Sequence, residues 1–146
     1  MSLPRAILVE HDGTVVDHIA LDYEARFLRR KRLETASGLA FLADLPETVS
    51  LSGGDRLVLE DGRRIEVRAA TETLLQVTGD LPRLAWHIGN RHTPCQIEAH
   101  RLLIRRDHVL AAMLRGLGAD LREVEEPFAP EGGAYGHGRT MGHSHG

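Results

Sequence analysis

The chain has 146 residues, of which 42% are hydrophobic and 27% charged, a composition typical of a globular protein with one compact domain or two small ones. The net charge of −3 gives no indication of a nucleic-acid partner or of an acidic membrane surface. No apolar run approaches the ~20 residues that cross a bilayer, and the first residues lack the apolar stretch of a signal peptide, so neither membrane insertion nor secretion is expected.

Short strands separated by turns are predicted for residues 1–71. Ala6–Val9 is one strand candidate, and Arg56–Leu59 and Arg64–Val67 flank Asp61-Gly62, a dipeptide typical of a tight β-hairpin. Closely spaced strands of this kind favour a small β-barrel or sandwich. We therefore expect a β-rich N-terminal domain, suited to protein or peptide interaction.

A β-α-β-β-α-β order is predicted for residues 72–128. One helix begins near Asp80, buries an apolar face that includes Leu84 and Ile88, and ends by Pro94, while a second helix begins at Asp107. The strands are expected at Thr73–Thr78, Cys95–Ala99, Leu102–Ile104 and Ala119–Glu125. This order is the ferredoxin-like pattern, which makes the whole chain an α+β protein.

Residues 129–146 are rich in glycine and have few side chains to bury, so we expect a flexible tail. The tail carries His137, His143 and His145, and histidines in a mobile segment are typical of metal capture. A solvated tail that binds nothing is the simpler alternative. Imidazole suits nickel, copper and zinc alike, so these residues do not select the metal.

His108 is the strongest metal-ligand candidate outside the tail. At about 100° per residue it lies nearly opposite the apolar stripe of its helix. That stripe is predicted to consist of Val109, Leu110, Met113, Leu114 and Leu117. Ala111 and Ala112 are predicted to share the exposed face with His108, and their small side chains allow another chain to approach. Because one imidazole binds a metal weakly, a symmetric homodimer that repeats His108 would strengthen the site. A solvated surface histidine is the alternative.

Two other residues with metal-binding side chains are interpreted as structural. His92 falls on the apolar face of the first helix, near its last turn, and is expected to be partly buried. Cys95 alternates with Ile97 and is expected to be a small core residue. It is the only cysteine, so the chain cannot form an intrachain disulfide, and a reducing, cytoplasmic location is expected.

Catalytic and nucleic-acid-binding motifs are missing from the sequence. It contains no Gly-x-Ser-x-Gly, no phosphate loop and no His-Glu-x-x-His, which argues against an enzyme. The strand containing Leu102 has no aromatic residue on which RNA bases could stack. The basic run Arg29–Arg32 is interpreted as a solvated loop, with contact to an acidic partner protein as the alternative.

Several segments resemble the UreE family of urease accessory proteins, over roughly Pro4–His137. In the second half they are Trp86–Pro94 with its Gly-Asn-Arg-His sequence, Arg105–Leu114 with its Asp-His-Val-Leu sequence, and Glu126–Tyr135 before the tail. In the first half they are Arg29–Arg32, Leu39–Pro46 and Gly54-Asp55. Taken together, the second-half segments are specific for this family.

The resemblance implies a non-enzymatic nickel chaperone with a β-rich domain and a ferredoxin-like metal-binding domain. It implies a cytoplasmic homodimer with His108 at the interface, delivering nickel to urease alongside the other urease accessory proteins. Zinc or copper are also expected to bind. The tail has fewer histidines than the His-rich tails of some members, which argues against a large nickel store. Two alternatives remain, a general nickel, zinc and copper buffer and a protein-interaction adaptor.

Overall fold

The computed structural model describes residues 2–132. The chain separates into two compact units, Met1–Ala70 and Thr71–Gly146. Strands predominate, in two sheets, and two helices accompany them, so the predicted α+β class is confirmed. Within the described residues, no helix has the length and apolar character needed to span a membrane.

The first unit is built on a six-stranded sheet. Its strands are β1 (Arg5–Glu10), β2 (Asp17–Leu21), β3 (Phe27–Glu34), β4 (Ala40–Ser50), β5 (Arg56–Leu59) and β6 (Arg64–Ala69), in the order β2-β6-β5-β1-β4-β3. The pairs β1–β4 and β2–β6 are parallel and the others antiparallel. The β5–β6 hairpin predicted from Asp61-Gly62 is confirmed, and Gly62 adopts the positive φ (92°) that such turns require.

The basic run Arg29–Arg32 lies in the middle of β3 and not in a loop, so the loop interpretation was wrong. Leu28 and Leu33 on either side of the run are buried, and they fix this segment in the sheet. Four consecutive cations conceal the alternation of apolar and polar residues by which a strand is recognised. All four are exposed, because β3 lies at the edge of the sheet.

Arg26 is a charged residue buried in the turn between β2 and β3, with 3% of its surface exposed. Its Nε donates to the carbonyl oxygen of Leu51 (3.1 Å) and its Nη1 to that of Leu21 (3.0 Å). The guanidinium also lies 5.8 Å from the centre of the Tyr23 ring. The side chain therefore ties the end of β2 to the segment that follows β4.

The second unit has a four-stranded antiparallel sheet and two helices. Its elements are β7 (Thr71–Thr78), α1 (Leu81–Asn90), β8 (Gln96–Ile97), β9 (Leu102–Arg105), α2 (His108–Gly116) and β10 (Asp120–Pro127), with the strands in the order β10-β7-β9-β8. The core packs Leu84 and Ile88 of α1 and Leu110 and Leu114 of α2 with apolar side chains of β7 and β9.

Both helices begin at the aspartates that the sequence indicates. The Asp80 carboxylate accepts from the backbone N–H of Arg83 (3.4 Å), and the Asp107 carboxylate accepts from that of Leu110 (3.0 Å). The first helix ends at Asn90, earlier than its apolar pattern suggested. This earlier end places His92 outside the helix.

Candidate functional site

The predicted ligand His108 is the first residue of α2 and is exposed. Its exposed neighbours differ from those predicted, since Ala111 is buried at 6% exposure and Val109 is 65% exposed. The buried face of α2 is centred on Leu110, Ala111 and Leu114, so the helix is rotated relative to the prediction. His108 therefore shares its surface with Val109 and Ala112.

His92 differs most from its predicted environment. It is exposed and lies beyond the end of α1, so its interpretation as a partly buried helical residue was wrong. Among the described residues it is the only one other than glycine with a positive φ (57°). Its backbone N–H donates to Gly89 (2.9 Å), and that of Thr93 donates to Ile88 (3.4 Å). These bonds form a Schellman motif, in which glycine is the usual residue at the left-handed position.

A histidine at this left-handed position is strained, and strained residues that persist are often functional. The side chain makes no contribution to the buried core, because it is exposed. Its imidazole is therefore held at the surface by a backbone turn that would be more stable with glycine. This geometry makes His92 a metal-ligand candidate that the sequence pattern did not reveal, since a non-glycine helix end carries no local signal.

The two exposed histidines lie at opposite ends of their helices. His92 follows the C-terminus of α1, where the helix dipole places partial negative charge that favours a cation. His108 lies at the N-terminus of α2, where the partial charge is positive. That positive partial charge disfavours an incoming metal ion. Helix electrostatics therefore favour His92 over His108 as the stronger ligand.

Two carboxylates and the cysteine of the second unit are poorly suited to bind a metal ion. Arg101 contacts Glu98 (3.0 Å) and Glu126 (2.7 Å), and its hydrogen bonds lower the pKa of both carboxyl groups. Burial raises the pKa of the Cys95 thiol to about 11, which agrees with its predicted structural role. Within residues 2–132 no three histidine, cysteine or acidic side chains are grouped closely enough to hold a metal ion.

The predicted tail ligands His137, His143 and His145 lie outside the described residues. The last described residues contact the start of β8 and the residue before it. The backbone N–H of Glu131 donates to the carbonyl oxygen of Cys95 (2.9 Å), and that of Ala129 donates to the Gln96 side chain (2.9 Å). Cys95 is three residues beyond His92 in the sequence. The last described residues therefore run beside the segment that follows His92.

Two family models together match almost the whole chain. The model of the UreE urease accessory protein N-terminal domain matches residues 3–70, and that of the C-terminal domain matches residues 65–146. These matches agree with the resemblance seen in the sequence.

Individual relatives give the same result. The chain is 72% identical over 130 residues to the urease accessory protein UreE of Rhodobacter capsulatus, covering 89% of this chain and 83% of the relative. It is 68% identical over 136 residues to the Ruegeria pomeroyi protein of the same name, covering 92% and 91%. The Paracoccus denitrificans protein is 64% identical over 122 residues, covering 84% and 79%. The chain therefore belongs to the UreE family of urease accessory proteins.

Proposed function

We propose that the chain binds nickel and delivers it to urease during assembly of the urease metal centre. A urease accessory protein assists assembly and is not an enzyme, in agreement with the absence of catalytic motifs from the sequence. The observation that carries the nickel proposal is the exposed, strained His92 at the C-terminus of α1. Nickel is cargo in this role, so the site must release it as well as capture it.

The proposed site combines few fixed ligands with several mobile ones. His92 and His108 supply imidazoles from the folded second unit, and His137, His143 and His145 supply further imidazoles from the tail. Since two histidines hold a metal weakly, the site gains strength when a second copy of the chain repeats them. A site of this kind exchanges its metal more readily than an enzyme centre with about three fixed ligands.

A homodimer formed through the helices of the second unit is therefore part of the proposal. Trp86 of α1 and Val109 of α2 are large apolar side chains with 64% and 65% of their surface exposed. Covering them with a second copy would remove apolar surface from water, which favours association. Val109 directly follows His108, so such contact would bring the two His108 residues towards a two-fold axis. The cytoplasmic location expected from Cys95 is also part of the proposal.

The domain roles follow from the same proposal. The strand order β10-β7-β9-β8, with α1 after the first strand and α2 after the third, supports a ferredoxin-like metal-binding domain over residues 72–128. The six-stranded first unit supports an N-terminal domain, over residues 1–71, that contacts other proteins of the urease assembly. Residues 129–146 would be the metal-capturing tail.

Calorimetric nickel titration of the full chain and of a chain ending at Tyr135 tests how much of the nickel binding depends on the tail. The shorter chain should bind fewer nickel ions per dimer, because it lacks His137, His143 and His145, and its circular dichroism spectrum should be unchanged. A full-length variant with all three changed to alanine is the matched control and should behave like the truncation. Equal stoichiometry and affinity in all three proteins would rule the tail out as a source of ligands. Parallel zinc titrations test the rival role of a general metal buffer.

A further inference from the structure

The outer edge of β3 is open and strongly basic. The strand ends the order β2-β6-β5-β1-β4-β3, and among the described residues it pairs with β4 and with no other strand. Four exposed cations, Arg29, Arg30, Lys31 and Arg32, follow one another along it. We refer to these residues as the basic edge.

Little negative charge neutralises the basic edge. Arg30 lies 3.6 Å from the Asp44 carboxylate, which is also held by Arg5 at 3.1 Å. No ion pair to Arg29, Lys31 or Arg32 occurs within residues 2–132. Most of the positive charge is therefore available to a partner.

The cations project from both faces of the sheet. Successive side chains of a strand alternate between faces, and Arg30 and Arg32 lie opposite Asp44 and Leu42, whereas Lys31 lies opposite the fully buried Ala43. An additional strand beside β3 would thus meet cations above and below it. Acidic residues at consecutive positions, and not only at alternate ones, are the best match for this arrangement.

We propose that the basic edge binds an acidic, extended segment of a partner protein by strand addition. Backbone groups on the open side of β3 would form the new ladder, and the cations would select a segment rich in glutamate and aspartate. A nucleic acid fits less well, because β3 and β4 present no exposed aromatic side chain for base stacking. This inference concerns the first unit and is independent of the nickel site.

Fluorescence anisotropy with a labelled acidic octapeptide, Thr-Glu-Glu-Val-Glu-Glu-Glu-Thr, tests the proposal on the full chain. The peptide should bind, and binding should weaken as salt is added. A second peptide of the same sequence carries N-methyl groups on alternate amides, which removes donors needed for strand pairing but keeps the charge. It should bind about tenfold or more weakly. A single-stranded oligonucleotide of equal charge should also bind more weakly.

Variants locate the binding surface. Lys31→Glu combined with Arg32→Glu should weaken binding of the acidic peptide by about tenfold or more, whereas Arg122→Glu, at an exposed position on the edge strand β10, should not change it. If the double charge reversal does not fold, Lys31→Ala with Arg32→Ala replaces it and should weaken binding in the same direction. Nickel binding should be unaffected in each variant.

Any one of four results would overturn the proposal. These are absence of peptide binding, equal binding of the N-methylated peptide, tighter binding of the oligonucleotide, and unchanged binding by the basic-edge variants. If one of these results is found and the basic-edge variants also aggregate, the cations instead protect an open sheet edge from pairing with other chains.

Discussion

His92→Ala should weaken the tightest nickel site by on the order of a hundredfold, because the proposed dimer would lose two ligands at once. Loss of His108 should have a smaller effect, since the positive end of the α2 dipole already disfavours the cation there. His100→Ala, which removes an exposed histidine from a loop of the second unit, is the matched control and should bind nickel normally. Calorimetry at neutral pH measures all three, and light scattering checks that each sample has the mass of two chains.

His92→Gly separates metal binding from folding. Glycine adopts the left-handed φ at this position without strain, so this variant should be more stable than the wild-type chain by up to about 1 kcal/mol. It should nevertheless lose nickel affinity to the same extent as His92→Ala. Wild-type affinity in both His92 variants would show that the residue is not a ligand. A larger loss with His108→Ala than with His92→Ala would reverse the proposed ranking.

Arg26→Met should destabilise the first unit by about 1–3 kcal/mol. Methionine fills part of the space but leaves the carbonyl oxygen of Leu51 without the donor that Arg26 supplies, whereas that of Leu21 keeps the backbone N–H of Ala70. One buried acceptor left unsatisfied costs about 1–3 kcal/mol. Arg63→Met removes a more exposed arginine that pairs with Asp61, and should change stability by no more than about 0.5 kcal/mol.

The two units can be followed separately in this experiment. Trp86 is the only tryptophan and lies in the second unit, so its fluorescence reports unfolding there. Hydrogen exchange of β2 and β3 reports on the first unit. Arg26→Met should accelerate exchange in these strands while the fluorescence transition in urea stays near its wild-type midpoint. Unchanged exchange in β2 and β3 would show that Arg26 does not hold this region together.

Local signals predicted much of the fold. Asp61-Gly62 predicted the β5–β6 hairpin, and Asp80 and Asp107 predicted the starts of both helices, because these features depend on turn and capping chemistry within a few residues. The strand β3 was missed since its side chains at the sheet edge do not alternate in polarity. Its place in the sheet is set by backbone pairing with β4, which the side chains of the basic run do not reveal.

The candidate metal ligands were harder to predict from the sequence than the fold. His108 was correctly expected at an exposed helix start, but Ala111 was placed on the wrong face because the stripe on α2 is wide enough to fit two rotations. His92 was assigned to a helix that ends two residues before it. The backbone turn that exposes it uses histidine where glycine is usual, and a residue-by-residue pattern does not reveal such a turn.

Nickel transfer to urease tests the central proposal most directly. The nickel-loaded chain is mixed with apo-urease and the other urease accessory proteins in the presence of a chelator that removes free nickel. Urease activity should appear with the loaded wild-type chain, and it should not appear with the same amount of nickel salt, with the zinc-loaded chain, or with His92→Ala. Equal activation by the wild-type chain and by nickel salt alone would contradict a role in nickel delivery.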